Sequence, residues 1–308
     1  MISVIGSGVG GLCTATVLSE KGFAVEVIEA ETPAVSYLAG GMLAPFCEGE
    51  SAPHEIVIKG QEALNWWAAR VPVTRRGTLV LAPSRDAREL DRFAAATQNH
   101  QWTEPGTLEA ELEGRFARGL FFPDEGHMDP TVALEALRAA LIRTGVVFHT
   151  GLPAGQVIDC RGWAARDQLT DLRPVRGEML EVLAPDINLS RTVRLLHPRF
   201  ACYIVPRGEG RYMIGATMVE SASEGPITVR AVVELLSAAY TVHPAFAEAQ
   251  LIMTDSGLRP AFPDNIPAVR CEGDRIYING MYRHGFLMAP ALAGEVARML
   301  MQEPAYAD

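Results

Sequence analysis

Cysteine is scarce in this chain of 308 residues. Cys13, Cys47, Cys160, Cys202 and Cys271 are odd in number and never in C-x-x-C spacing. That argues against a disulfide framework or a zinc site and fits a reducing, cytoplasmic setting. None of the 7 histidines has the spacing of a metal pair, so no metal is expected. Positive charge is limited too. The 27 Lys and Arg are outnumbered by 37 Asp and Glu, the net charge is −10, and no basic block appears. Nucleic acid and an anionic membrane surface are therefore not expected as partners. No apolar run approaches the roughly 18 residues of a bilayer span, so no integral membrane segment is expected. An apolar strand begins at Met1, and a signal or transit peptide is not expected either. With 48% hydrophobic and 21% charged residues the composition is that of a soluble globular protein. The length suffices for about two domains with buried cores.

What the chain does have is glycine in one informative place. Gly6-Ser7-Gly8-Val9-Gly10-Gly11 follows the apolar run of residues 1–5 and opens a helical stretch. This is G-x-G-x-x-G between a strand and a helix, the context that makes it a dinucleotide fingerprint. Gly6 permits the tight turn, Gly8 lets backbone approach a pyrophosphate, and Gly11 allows close helix–strand packing. Amides from Val9 onward supply unpaired N–H groups and the positive helix end. A second strand over 24–28 ends on Glu29, eighteen positions after Gly11, where a carboxylate can accept from ribose hydroxyls.

Apolar spacing predicts helices over 9–21, 54–70, 87–98, 130–144, 228–240 and 289–302. In the fourth, Asp129 is placed as N-cap, Pro130 as first residue and Gly145 just past the end, with Val132, Leu134, Leu137 and Leu141 as the buried face. Further strands are expected over 78–81, 146–149, 156–159 and 275–278. An antiparallel group is expected over 175–183, 193–196, 202–206 and 212–216. This alternation predicts an α/β fold, a Rossmann-like nucleotide domain interrupted by a mainly antiparallel α+β domain.

Five stretches then carry a resemblance: Ala39-Gly40-Gly41-Met42-Leu43-Ala44-Pro45, Tyr203-Ile204-Val205-Pro206-Arg207, Ile214-Gly215-Ala216-Thr217-Met218, Gly257-Leu258-Arg259-Pro260 and Asn279-Gly280-Met281-Tyr282-Arg283-His284-Gly285. In order and over most of the chain, they resemble the FAD-dependent D-amino-acid oxidase family. Within it they look most like the glycine oxidases associated with thiamine biosynthesis. The resemblance implies FAD, whereas the glycine fingerprint alone serves NAD and FAD alike. No cysteine matches the covalent-attachment position of the sarcosine oxidases, so FAD is expected to be held non-covalently. Expected domain limits are 1–46, 127–172 and 253–308 for FAD and 47–126 and 173–252 for substrate.

The resemblance also implies site residues. Beyond Gly6, Gly8, Val9, Gly10, Gly11, Glu29 and Ala30, it places Gly40, Gly41, Met42 and Leu43 near the flavin. Gly280, Arg283, His284, Gly285, Phe286 and Leu287 return beside it. A glycine at 285 with a helix soon after would also bring N–H groups and a positive helix end to stabilise negative charge on a reduced flavin. Arg259 matches the arginine that clamps the substrate carboxylate in two parallel hydrogen bonds, a task suited to a planar guanidinium. Tyr203 matches a hydroxyl on the same carboxylate, and Met218 a pocket-lining methionine. Arg283 matches either a second substrate arginine or an anchor of the flavin-proximal loop. No general base is expected. His127, His149 and His197 are expected to be satisfied structural histidines. Ala201 stands where many relatives have His, and the segment 145–159 is short, leaving the adenine contacts unspecified.

The implied activity is oxidative deamination of glycine or another small amine by hydride transfer to flavin. Oxygen would be the acceptor, and the products an imine (hence glyoxylate and ammonia) and hydrogen peroxide, supplying thiazole synthesis. A D-amino-acid or sarcosine-type dehydrogenase with a quinone or flavoprotein acceptor is the rival enzyme, and a non-catalytic flavin-binding regulator the rival of another class. Homo-oligomerisation is left open.

Overall fold

In a computed structural model the described residues are 1–30, 33–196 and 202–302; His197 and Ala201 lie outside them. The fingerprint strand Ile2–Ile5 is central to a six-stranded sheet, ordered Ala268–Glu272, Arg275–Asn279, Gln156–Asp159, Ile2–Ile5, Val25–Ile28, Val147–His149. All neighbours are parallel except the first pair, which is antiparallel. Val4, Val27 and Ile158 put one face of this sheet into the core shared with helices Val9–Glu20, Pro130–Arg143 and Gly285–Gln302.

The helix Pro130–Arg143 starts as its punctuation predicts. Asp129 accepts from the amides of Thr131 at 2.8 Å and Val132 at 3.4 Å, and Gly145 takes a positive φ of 90°. Val132, however, is exposed; Ala133, Leu134, Leu137 and Leu141 make the buried face. The single helix expected over 54–70 is two, His54–Gly60 and Ala63–Ala68. The break follows Gly60, where a Cβ would lie 2.6 Å from Leu287, so the last helix crosses closely there. That last helix begins at Gly285, four residues before the expected start, and carries Pro290 inside it. Proline has no N–H to return to the Phe286 carbonyl. The Trp67 indole donates to that carbonyl instead, at 2.8 Å.

A second, larger sheet runs in the order Val219–Glu220, Arg173–Leu183, Arg211–Gly215, Cys202–Gly208, Thr192–Leu195, Thr78–Leu81, Gly119–Phe122, Gln101–Thr103. Helix Val229–Val242 packs its Ala231, Leu235, Ala238 and Val242 side toward this sheet's core. The strand Gln250–Ala261 pairs with Arg173–Leu183 along its whole length. It was not expected from the sequence, and the boundary expected at 252/253 falls inside it. Met42–Leu43 pairs with Gly126–His127 between the two sheets.

Candidate active site

The glycines of the fingerprint sit where their size is required. Gly6 has φ 104°, and a Cβ there would lie 2.7 Å from the Cys160 carbonyl oxygen. A Cβ on Gly11 would be 1.8 Å from the Gly6 carbonyl oxygen, so this helix leans directly on the turn. Gly8 faces Ser36, whose hydroxyl accepts from the Val9 amide at 3.0 Å. The amides of Gly10 and Gly11 have no partner among the described residues. Glu29 follows the strand Val25–Ile28, and its carboxylate is held by both Nη atoms of Arg138, one of them at 3.0 Å. Arg138 in turn lies over the Phe148 ring at 4.3 Å. Ala30 beside it is exposed.

From the helix start a cleft of about 1320 Å³, counted out to its open mouth, runs between the two sheets. Val9, Gly40, Gly41, Met42, Arg283, His284, Gly285, Phe286 and Leu287 line it together with Tyr203, Met218 and Arg259. Gly41 has φ 67° and would place a Cβ 2.2 Å from the Met128 carbonyl oxygen. Arg207 fastens this turn by donating to the carbonyls of Met128 at 2.8 Å and Ala39 at 3.0 Å. Of the residues expected beside the flavin, two stand outside the lining. Leu43 points into the core, and Gly280 takes φ 72° with the Phe262 ring where its Cβ would be, 2.1 Å away. The helix start at Gly285 lies against Val9, its Cβ position 3.2 Å from Val9 Cγ1. Two helix N-termini thus converge on one cleft. The amides of Gly285 and Phe286 are without partners among the described residues.

The two arginines of the cleft differ in their partners. Arg259, on the strand Gln250–Ala261, makes one hydrogen bond, from Nη1 to the Thr217 carbonyl at 3.0 Å, and no ion pair among the described residues. Burial pulls its pKa down. Arg283 is neutralised: Nη2 reaches Glu48 Oε2 at 2.9 Å and Ser51 Oγ at 2.5 Å. It ties the helix Pro45–Glu48 to the loop before Gly285. Burial pushes the Glu48 carboxyl up, but Arg283, His284 and Arg194 together hold it below the ordinary range. His284 is 2% exposed, its Nδ1 3.3 Å from Glu48 Oε2, and burial lowers its pKa.

Tyr203 faces the cleft with its hydroxyl unbonded among the described residues, and burial raises its pKa. Behind it lies Arg194, fully buried, 5.3 Å from the Tyr203 ring and donating to the Cys47 carbonyl and to Glu50. Met218 sits at the mouth, 43% exposed, and its sulfur accepts from the Tyr282 hydroxyl at 3.3 Å.

Several lining residues escaped the sequence reading. Glu48 and Ser36 stand in short runs that carry no spacing signal. Tyr282 has φ 46°, a left-handed conformation that no residue type announces. Met179, Met213 and Met281 line the cleft beside the expected Met42 and Met218, and they come from separate strands and loops. Of the histidines, His149 is satisfied by Glu26 at 3.1 Å and the Gly151 amide at 2.9 Å. His127 is not satisfied: its Nδ1 is buried without a partner, and burial, helped by Arg207, pushes its pKa down to about 4.

The family of FAD dependent oxidoreductases matches over residues 1–299. A putative thiamine biosynthesis oxidoreductase, ThiO, of Rhizobium etli is 50% identical over 98% of this chain and 97% of its own length. The glycine oxidase of Bacillus licheniformis is 28% identical over 74% of this chain and 70% of its own. Among solved structures, glycine oxidase from Geobacillus kaustophilus superposes with TM-score 0.83 at 23% identity, covering 100% of this chain and 96% of that one.

Proposed function

The chain belongs to the family of FAD dependent oxidoreductases, and from that premise we propose that it oxidises glycine or another small amino acid at its amine-bearing carbon. It is an enzyme, and FAD is its cofactor. The cleft fits that group: glycines where side chains would collide, two helix starts with free amides, and a methionine wall for a flat ring. Residues 6–11 and Ser36 would hold the pyrophosphate and residues 40–42 and 283–287 the ring. When bound, FAD supplies the two-electron acceptor. The observation that carries the substrate class is Arg259, a cation in an apolar cleft with only a carbonyl for a partner. Such a group is stabilised by an anion with two acceptor oxygens.

In this reading Arg259 binds the substrate carboxylate and the Tyr203 hydroxyl donates a further hydrogen bond to it. Arg283 cannot compete for that carboxylate, because Glu48 and Ser51 hold it. The clamp, with the methionines lining the cleft around it, would fix the α-carbon and exclude water. No lining histidine suits proton abstraction, since His284 is buried against Glu48. An amine that arrives neutral needs none. The free amides at Gly285 and Phe286 would stabilise negative charge on the bound ring. Overall, glycine, oxygen and water would give glyoxylate, ammonia and hydrogen peroxide, with the imine precursor available to a thiazole-forming step. Two relatives support the choice, named for thiamine biosynthesis and glycine oxidation. Peroxide release measured across glycine, sarcosine and a panel of D-amino acids tests it. Turnover that requires a quinone and ignores oxygen would assign a dehydrogenase instead.

A further inference from the structure

We propose that Gly177 is a positioning residue for the substrate carboxylate, its missing side chain being the seat on which the Arg259 guanidinium lies. The proposal rests on the reading of Arg259 as the carboxylate clamp. In the antiparallel pair of Arg173–Leu183 with Gln250–Ala261, Val175 is opposite Arg259 and Gly177 opposite Gly257. Residues 175 and 177 share a face of the strand, which puts Gly177 diagonally beside Arg259 on the cleft side. A Cβ on Gly177 would lie 2.3 Å from Arg259 Cζ, 2.3 Å from Nη2 and 2.5 Å from Nη1. The guanidinium therefore occupies the space of the absent side chain. Gly177 is not among the glycines with positive φ, so its backbone conformation does not call for glycine. Its three nearest neighbours are all guanidinium atoms.

The other side of the seat is equally fixed. Arg259 Nη1 donates to the Thr217 carbonyl, and Thr217 is bound to Glu178, the residue next to Gly177. The Thr217 amide donates to the Glu178 carbonyl at 3.1 Å, the Thr217 hydroxyl to Glu178 Oε2 at 3.0 Å, and the Glu178 amide to the Thr217 hydroxyl at 3.0 Å. Glu178 also accepts from Arg176 and from the Thr228 amide. One strand thus provides both the space under the guanidinium and the brace for its protein hydrogen bond. Nη2 and Nε are left for the substrate.

Gly177→Ala tests this directly. The clash is with the tip of a flexible side chain, so the variant holoenzyme should fold and stay yellow. The guanidinium, displaced by about an ångström, should lose its aim. The dissociation constant of glycolate, a two-carbon carboxylate without an amine, read from the flavin spectrum, should rise about tenfold or more. The KM for glycine should rise alike while kcat changes little. On an Arg259→Ala background the same substitution should add less than about twofold, because the group it acts through is gone. Should Arg259→Ala leave glycolate and glycine binding untouched, the clamp reading fails. If Arg259→Ala weakens binding but Gly177→Ala does not, or if Gly177→Ala weakens it equally in the double variant, the clamp stands and the role of Gly177 is refuted. Should Gly177→Ala alone fail to fold, a folded double variant would trace the collision to the guanidinium. An unfolded double variant would overturn the proposal.

Discussion

Replacing Arg259 by alanine separates binding of the substrate from stability of the fold. The side chain makes one hydrogen bond to protein, to the Thr217 carbonyl, and has no carboxylate partner among the described residues. Losing that bond costs the fold about 1 kcal/mol. Relief of a half-buried, uncompensated cation offsets it. The melting temperature should therefore shift by no more than about 2–4 °C. The substrate has no such offset. A carboxylate left in an apolar cleft without its paired donors should lose about 3–5 kcal/mol, or roughly two to three and a half decades in kcat/KM. Arg283 offers no rescue while Glu48 holds it at 2.9 Å. Arg259→Lys should recover little, since an ammonium cannot present two parallel donors. The assay is anaerobic stopped-flow of flavin bleaching over a range of glycine concentrations, with a thermal melt on the same preparation. Flavin reduction by glycine at near wild-type rates in Arg259→Ala would show that the carboxylate binds elsewhere.

Other perturbations test other parts of the site. Gly8→Val should yield a colourless protein, because its Cβ would already be 3.1 Å from Ser36 Oγ and the added methyls enter the pyrophosphate space; a yellow variant with FAD released on denaturation would contradict this. Burial raises the Glu125 carboxyl from 4.5 to about 7, so the folded state holds its proton where the unfolded chain does not. The stability this gives is full below pH 4.5 and is lost as pH rises to 7, about 3 kcal/mol in all. Glu125→Gln should thus melt like wild type near pH 5 and above it at pH 8, and a variant that melts lower at pH 8 would refute the assignment. Met218→Gly should widen the substrate range toward larger D-amino acids or N-substituted glycines, within about 1–3 kcal/mol of discrimination. Wild-type protein that oxidises D-phenylalanine or D-proline far faster than glycine and sarcosine would overturn the choice of a small substrate.

The strand, turn and helix around residues 6–11 were legible because their constraints are local. A turn at Gly6 and a helix resting 1.8 Å from its carbonyl oxygen at the Gly11 Cβ position must be written within a few consecutive residues. The Arg259 end of the cleft is assembled from contacts distant in sequence. Glu48 and Arg283 meet across 235 positions, and their partnership has no periodic trace. Arg259 was recognised by resemblance, but its strand was not, since residues 250–255 are all exposed and show no alternation of apolar and polar positions. The last helix began early because Trp67, far upstream, takes the carbonyl that Pro290 leaves open. Gly60 broke the helix over 54–70 for a similar reason, the approach of Leu287. In each case the missing information was a long-range contact rather than a local propensity.

A small amino acid held by its carboxylate on Arg259 should reduce the flavin, and oxygen should then restore it. Anaerobic addition of glycine to the holoenzyme, followed by oxygen, measures both halves in one cuvette. Glycine should bleach the flavin completely, and methylamine, which has the amine but no carboxylate, should not bleach it at all. On aeration the colour should return with one hydrogen peroxide formed per glyoxylate. A flavin that stays oxidised with glycine, sarcosine and D-alanine alike, or one that bleaches and is not restored by oxygen, would contradict it.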